Sequence, residues 1–276
     1  MNAEPRVCVV IPVHRQQPTQ TDLISLNACM RVLTQHDVFL VCPEEMDARI
    51  YTEKWPGLQL MKVPGTWLQS IAAYNKMKID PAFYARFSTY THMLTYEPDA
   101  YVFRDELQQW AAADFDYIGA PFVAGADQYQ PGAALTGVGN SGFSLRNISA
   151  CRKVLAEIRS LAATAAYCNN PVIRALLRSF SGIEKILPGV HFTRIRIIRA
   201  YLHAEYTHED VFWSVFIPRL LPYFRIAGIN EAVRFSFDMA PEECYRHAQR
   251  QLPFGCHAWP KETAFWKPFI HIETHD

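Results

Sequence analysis

An unbroken apolar run from Val7 to Val13, with Pro12 near its end and His14 just beyond, constrains the fold more than any other stretch. A strand apolar on both faces needs cover on both sides, as in a parallel sheet. Thr21-Asp22 is placed to cap the next element, a helix whose Leu23, Ile24, Leu26, Met30 and Leu33 recur at helical spacing. A second apolar run, Val38 to Cys42, stops at Pro43. Strand, helix and strand in that order predict a right-handed βαβ unit and an α/β sheet. Ligands of such sheets sit at the carboxyl ends of the strands, here Pro12, Val13 and His14, and near Pro43-Glu44. No GxGxxG or Walker motif occurs, so neither a dinucleotide cofactor nor a P-loop nucleotide is indicated.

The next informative stretch is His92 to Phe103. An apolar, aromatic-rich strand runs up to Tyr96, then Glu97 and Asp99 appear with Pro98 between them. Carboxylates at the end of a buried strand are costly to bury unless a cation pairs with them. Alternate residues of an extended segment point the same way, so both acids are expected to face one ligand. A divalent metal holding a diphosphate suits them, because hard cations take oxygen ligands. The competing reading is a turn with two solvated acids.

Composition narrows the class. Net charge is zero, so nothing global points to nucleic acid or to an acidic substrate. Cys8, Cys29, Cys42, Cys151, Cys168, Cys244 and Cys256 are scattered and odd in number, and no pair has CxxC spacing. They suggest neither a zinc site nor a disulfide framework, and several sit in apolar runs as buried thiols. The segment before Val7 is too short for a signal peptide and no apolar stretch approaches a membrane span. The expectation is a cytoplasmic protein.

Leu58 to Val63 is expected as a third strand, Trp67 to Met77 and Pro81 to Phe87 as helices, and Asp114 to Pro121 as another strand. Lys76 is either a surface lysine or a point charge for a phosphate. Val123 to Thr136 has the length and composition of a lid. Three glycines between Gly137 and Gly142, ahead of a strand, suggest a close backbone approach to something bound. Residues 151–204 carry nine Lys/Arg against Glu157 and Glu184, with apolar residues at helical spacing. That is either a basic amphipathic insertion for an anionic membrane or acceptor, or a solvated helical subdomain. Glu209 and Asp210, after Thr207-His208, open the apolar helix Val211 to Phe216, where acids stabilise the helix dipole or supply a general base. His257 lies in the tight aromatic loop Leu252 to Trp259, where a neutral imidazole can ligate metal.

In their order, these motifs resemble a large bacterial and fungal family of uncharacterised glycosyltransferase-like domains, over about residues 5 to 270. The matching pieces are the first strand, Ile24 to Asn27, Val41 to Pro43, Tyr74-Asn75, Asp99 to Asp105, Tyr117 to Pro121, Gly137 to Arg146, Glu209 to Trp213 and Leu252 to Trp259. The resemblance implies a GT-A-like nucleotide-binding, Rossmann-like mixed sheet flanked by helices, with a basic helical insertion at about 151–204. It implies one domain over 1–276, with a nucleotide-binding half at 5–105 and an acceptor half at 106–270.

Similarity to GT-A glycosyltransferases implies roles residue by residue. Asp99 matches the last acid of a metal-holding DxD motif, and Glu97 stands where the first would be. Tyr74-Asn75-Lys76-Met77 resembles a Tyr-x-Arg-Leu donor segment, with Lys76 in place of the arginine. Asn140-Ser141-Gly142 resembles an Asn-Ala-Gly strand entry that lines the sugar site. His257 and Lys267-Pro268-Phe269 resemble a carboxyl-terminal His…Lys-Pro-Trp, in which histidine ligates metal and lysine meets phosphate. Glu209-Asp210-Val211 resembles the Glu-Asp-Val of inverting enzymes, which makes Asp210, or next Glu209, the base. The implied cofactor is Mn²⁺ or Mg²⁺. The implied partners are a nucleotide sugar, a UDP-sugar by preference, and a glycan or lipid-linked acceptor, with peripheral contact to the inner membrane face through the basic insertion. The rival classes are a catalytically silent sugar-nucleotide or glycan-binding module and a nucleotidyltransferase. The latter would need a glycine-rich phosphate loop that His14-Arg15-Gln16-Gln17 does not supply.

Overall fold

The computed structural model describes residues 4–125, 128–168 and 208–270. Its centre is a six-stranded mixed sheet in the order β3-β2-β1-β4-β9-β6. β1 (Val7–Pro12) runs parallel to β2 (Asp37–Pro43) on one side and to β4 (His92–Tyr96) on the other. β3 (Leu58–Val63) is parallel to β2, whereas β9 (Phe143–Asn147) is antiparallel to both β4 and β6 (Tyr117–Ile118).

The reason for the unbroken apolar run is visible in the two cores. Val7, Val9 and Ile11 face one cluster with Leu26, Cys29 and Leu33 of helix α1 (Gln20–Val32). Cys8 and Val10 face the other, with Phe83, Tyr84 and Phe87 and with Val154, Leu155 and Ile158 of the helix Ile148–Cys168. Both faces are covered, so each residue of the strand gains from burial.

Local chemistry moves several boundaries. Helix α1 is capped by Thr19, not by Thr21-Asp22: the Asp22 amide donates to Thr19 Oγ1 at 3.2 Å and the Thr19 amide to Asp22 Oδ2 at 2.8 Å. This reciprocal box wins because it satisfies two amides at once. The stretch expected as one helix over Trp67 to Met77 is split into a 3₁₀ turn, Gly65–Trp67, and a helix, Ile71–Met77. Ser70 makes the break, its Oγ accepting from the Ala73 amide at 3.1 Å. The strand expected over Asp114 to Pro121 is interrupted at Gly119, where a Cβ would stand 1.9 Å from the Gly139 carbonyl oxygen. β7 (Pro121–Val123) then forms a two-stranded antiparallel ribbon with β8 (Leu135–Val138), which takes in both ends of the segment Val123 to Thr136 expected as a lid.

A small third sheet orders β10 (Ser236–Phe237), β11 (Gly255–Cys256) and β5 (Tyr101–Val102), with β11 in the middle. Six of the cysteines are free and buried, as expected. Burial pushes the Cys151 and Cys244 thiols up to about 12, which leaves them inert as nucleophiles. Of the basic insertion, the helix Ile148–Cys168 covers the start; most of 151–204, and with it the membrane expectation, lies outside the described residues. Among the described residues no helix is long and apolar enough to cross a membrane.

Candidate active site

The order of strands reverses at β1: β2 and β3 follow on one side, β4 lies on the other. Such a switch point leaves a crevice at the carboxyl ends of the two strands, since their connections depart in opposite directions. A cavity of about 660 Å³ opens there. Its walls are Pro12, Val13, His14 and Arg15 from the end of β1, Glu97, Pro98 and Asp99 from the end of β4, and Tyr74 with Leu68 to Ile71. Thr19, Thr21, Asp22, Tyr51 and Pro260 complete it. The size suits a ligand of nucleotide dimensions.

Glu97 and Asp99 do face one point, but through a turn and not through strand alternation: the Ala100 amide donates to the Glu97 carbonyl at 2.8 Å. The point they face is His257. Its Nε2 lies 3.3 Å from Glu97 Oε2 and 3.1 Å from Asp99 Oδ1. The three residues can each offer one ligand atom with all three atoms within 4.8 Å of one another. The small sheet makes this meeting possible. β5 begins one residue beyond Asp99, after Ala100, and β11 pairs with it antiparallel and delivers His257 as the next residue.

The imidazole sits in a cradle with no spare room. A Cβ on Gly142 would stand 2.1 Å from the His257 ring, so only glycine fits at that position. Asn140, in the left-handed region at φ 61°, accepts from the Gly142 amide at 3.0 Å and the Phe143 amide at 3.2 Å, and holds the turn. Its amide nitrogen lies 3.1 Å from His257 Nδ1. On the same Nδ1, at 3.1 Å, sits the Asp238 carboxylate.

Asp238 was not foreseen, although an acid directly after a short strand repeats the pattern of Glu97. With Nδ1–H given to Asp238, loss of the other ring proton would free the Nε2 lone pair on the side of Glu97 and Asp99, the tautomer a metal-bound histidine needs. Nε2 is buried, with Asp99 Oδ1 at 3.1 Å and Glu97 Oε2 at 3.3 Å as its neighbours. Burial opposes protonation of the ring, yet the bonds to Asp238, Asp99 and Glu97 outweigh it and hold its pKa well above the usual value. Two carboxylates converging on one imidazole nitrogen in a rigid cradle fit a divalent cation such as Mn²⁺, which would take the place of the Nε2 proton. Asp238→Asn is expected to weaken Mn²⁺ binding about tenfold, measured by titration calorimetry, with the fold unchanged by circular dichroism.

Behind Glu97 lies a buried ionic network. Lys78 is 1% exposed and places its Nζ 2.7 Å from Ser141 Oγ, 3.3 Å from Glu97 Oε1 and 3.0 Å from Glu209 Oε1. Glu209 and Arg146 are wholly buried and pair at 3.1 Å. Burial pushes the Glu209 carboxyl up, but Arg146 and then Lys78 outweigh it and hold it below the carboxylate range.

The residues expected at the site divide accordingly. Pro12, Val13, His14, Tyr74, Glu97 and Asp99 line the cavity; Asn140, Ser141, Gly142 and His257 gather at the corner where Glu97 and Asp99 meet the imidazole. Lys76 and Lys267 are exposed and line no part of it. The lysine at the site is Lys78, and helical spacing could have found it: Tyr74 and Lys78 share a face at i, i+4, while Lys76 does not. Glu209, expected as a possible base, is sealed from the cavity by its two cations. Asp210 is half-buried and does not line the cavity; burial, then the charge of Glu209, raises its carboxyl pKa, while its Oδ1 accepts from the Val211 amide at 2.8 Å.

The sequence profile of a family described as protein of unknown function (DUF5672) matches residues 57–257, well over half of the chain. The chain belongs to this family. The DUF5672 match runs from β3 to His257, so it takes in Glu97, Asp99, Asn140, Lys78, Arg146, Glu209 and Asp238 but not β1 or Lys267. No curated protein shows significant sequence similarity to this DUF5672 member. Among solved structures, it resembles a mannosyltransferase from Pyrobaculum calidifontis in complex with GDP-Man and Mn²⁺, at 20% identity and TM-score 0.32, over 43% of this chain and 36% of that one. It also resembles the bifunctional glycosyltransferase WbbM, at 10% identity and TM-score 0.49, over 94% of this chain and 46% of that one. A third is the galactosyltransferase LgtC in complex with donor and acceptor sugar analogues, at 11% identity and TM-score 0.47, over 90% and 86%. The chain thus spans less than half the length of the first two.

Proposed function

We propose that this DUF5672 member is a GT-A-type glycosyltransferase that uses a divalent metal to transfer a sugar from a nucleotide-sugar donor to a glycan or lipid-linked acceptor. One observation carries the reading. The Glu97, Asp99 and His257 cluster sits at the corner of a nucleotide-sized crevice, at the switch point of the sheet. A crevice without a P-loop or glycine fingerprint still has to neutralise a diphosphate, and a metal on two carboxylates and an imidazole does so. When bound, that ion supplies Lewis-acid stabilisation of the departing diphosphate.

The chain's own residues divide the remaining work. Glu97, Asp99 and His257 would hold the ion, while Pro12, Val13, His14 and Tyr74 wall the nucleoside side of the cavity. Asn140, Ser141 and Gly142 shape the corner where the sugar would lie. The acceptor hydroxyl oxygen bonds to the anomeric carbon as the carbon–diphosphate oxygen bond breaks, and the hydroxyl proton passes to a base. We assign that base to Asp210 by the resemblance of Glu209-Asp210-Val211 to the Glu-Asp-Val of inverting enzymes. A single displacement of this kind inverts the anomeric carbon. UDP-sugars are the preferred donors by resemblance.

A panel of nucleotide sugars with Mn²⁺ tests the reading. A true donor stabilises the fold by mass action and raises the melting temperature. It also releases nucleoside diphosphate, and Asp210→Asn is expected to slow that release about a hundredfold. Donor binding with no release in either protein would instead favour a silent binding module, and no shift with any donor would remove the nucleotide-sugar reading.

A further inference from the structure

Glu97 uses its two carboxylate oxygens differently. Oε1 takes the Tyr74 hydroxyl at 2.9 Å, Lys78 Nζ at 3.3 Å and Ser141 Oγ at 3.4 Å. Oε2 turns the other way, to His257 Nε2 at 3.3 Å. A carboxylate with one oxygen bound by three donors has one oxygen left to offer.

Lys78 is the member of this trio with its own support. Its carbonyl accepts from the Tyr84 hydroxyl at 2.9 Å and from Trp213 Nε1 at 3.2 Å, both from fully buried side chains. Its stem lies over the Tyr74 ring, with Nζ 3.8 Å from the centroid. Its three ammonium protons have three oxygen partners, on Ser141, Glu97 and Glu209, which leaves Nζ no freedom to swing into the cavity. Glu209 is in turn fixed by Arg146, whose guanidinium also reaches Tyr84 and Ser144.

We propose that Lys78 is a positioning residue of the metal corner: anchored by Glu209 and Arg146, it pins Oε1 of Glu97 so that Oε2 alone is presented to a divalent ion. This rests on the metal-site reading above. Tyr74 and Ser141, expected to touch the donor, then serve first to orient Glu97.

The decisive property is the sign of the effect on metal binding. A buried cation 3.3 Å from a metal ligand repels an incoming cation, so its removal by electrostatics alone tightens binding. Loss of a positioning contact weakens binding, by about tenfold. Titration of Mn²⁺ into the purified wild-type protein and Lys78→Met, followed by calorimetry and by the free-Mn²⁺ paramagnetic resonance signal, separates the two. The expected result is about tenfold weaker binding in Lys78→Met and no further loss when the same change is made in Glu97→Gln. Equal or tighter binding in Lys78→Met, or additive losses in the double variant, overturns the proposal and leaves the metal reading intact. Absence of Mn²⁺ binding by the wild type overturns both. Should Lys78→Met fail to fold, Tyr74→Phe removes one Oε1 bond without changing charge. It is expected to weaken Mn²⁺ about threefold, and unchanged affinity counts against the proposal.

Discussion

Asp99→Ala is expected to lower metal-dependent release of nucleoside diphosphate about 10³-fold, a barrier increase of roughly 4 kcal/mol. Asp99 is the cleanest residue with which to test the metal corner. Its side chain is 38% exposed and, among the described residues, its carboxylate meets only His257, while the contact that braces its loop uses the Asp99 carbonyl, which accepts the Trp259 amide at 3.4 Å. Truncation at Cβ removes a metal ligand and leaves that brace, so the melting temperature without metal should barely move. Glu97 offers no such separation, because its Oε1 also organises Tyr74, Lys78 and Ser141. Wild-type protein stripped of metal with a chelator should fall to the same floor as Asp99→Ala with metal present. Unchanged turnover in Asp99→Ala would remove it from the metal site.

Glu209→Gln should act on stability instead. The substitution keeps shape and removes the charge facing two buried cations, Arg146 and Lys78. Lys78 retains Glu97, but among the described residues Arg146 retains only neutral partners, Tyr84, Ser144 and the face of the Tyr117 ring. Breaking a buried pair by removing one partner costs roughly 3–5 kcal/mol. That is a large part of the total stability of an ordinary domain and corresponds to a fall of about 10 °C in melting temperature. Denaturant unfolding of wild type and Glu209→Gln reads the loss directly. A variant that is fully stable yet inactive would return Glu209 to the role of base.

The first half of the chain was legible because its signals are local. An apolar run needs cover on both faces, and β1 and β2 follow from that alone, as does a cavity at Pro12 to His14. The acids Glu97 and Asp99 were found from the cost of burying charge at a strand end, though the turn that aims them was not. What escaped depended on pairing across long stretches of chain. Nothing near Asp238 in sequence announces that β10 will lie beside β11, so its bond to His257 is a product of tertiary structure. Lys78 escaped for a different reason: the resemblance drew attention to Lys76, where an arginine was expected, while the helical period placed the neighbour two residues on beside Tyr74. Glu209 and Asp210 show the limit of a motif, since adjacent acids at a helix start were separated by burial into an anchor and a candidate base.

The small β10-β11-β5 sheet has a consequence for modularity. Glu97 and Asp99 come from the first half of the chain and His257 from the second, and β9 of the second half completes the central sheet beside β4. Neither half holds a whole site, and neither holds a whole sheet. Chimaeras that exchange one half between relatives would therefore have to rebuild the cradle of Gly142 around His257 before any specificity could be transplanted, and the smallest unit that can be inherited intact is the entire sheet with its corner.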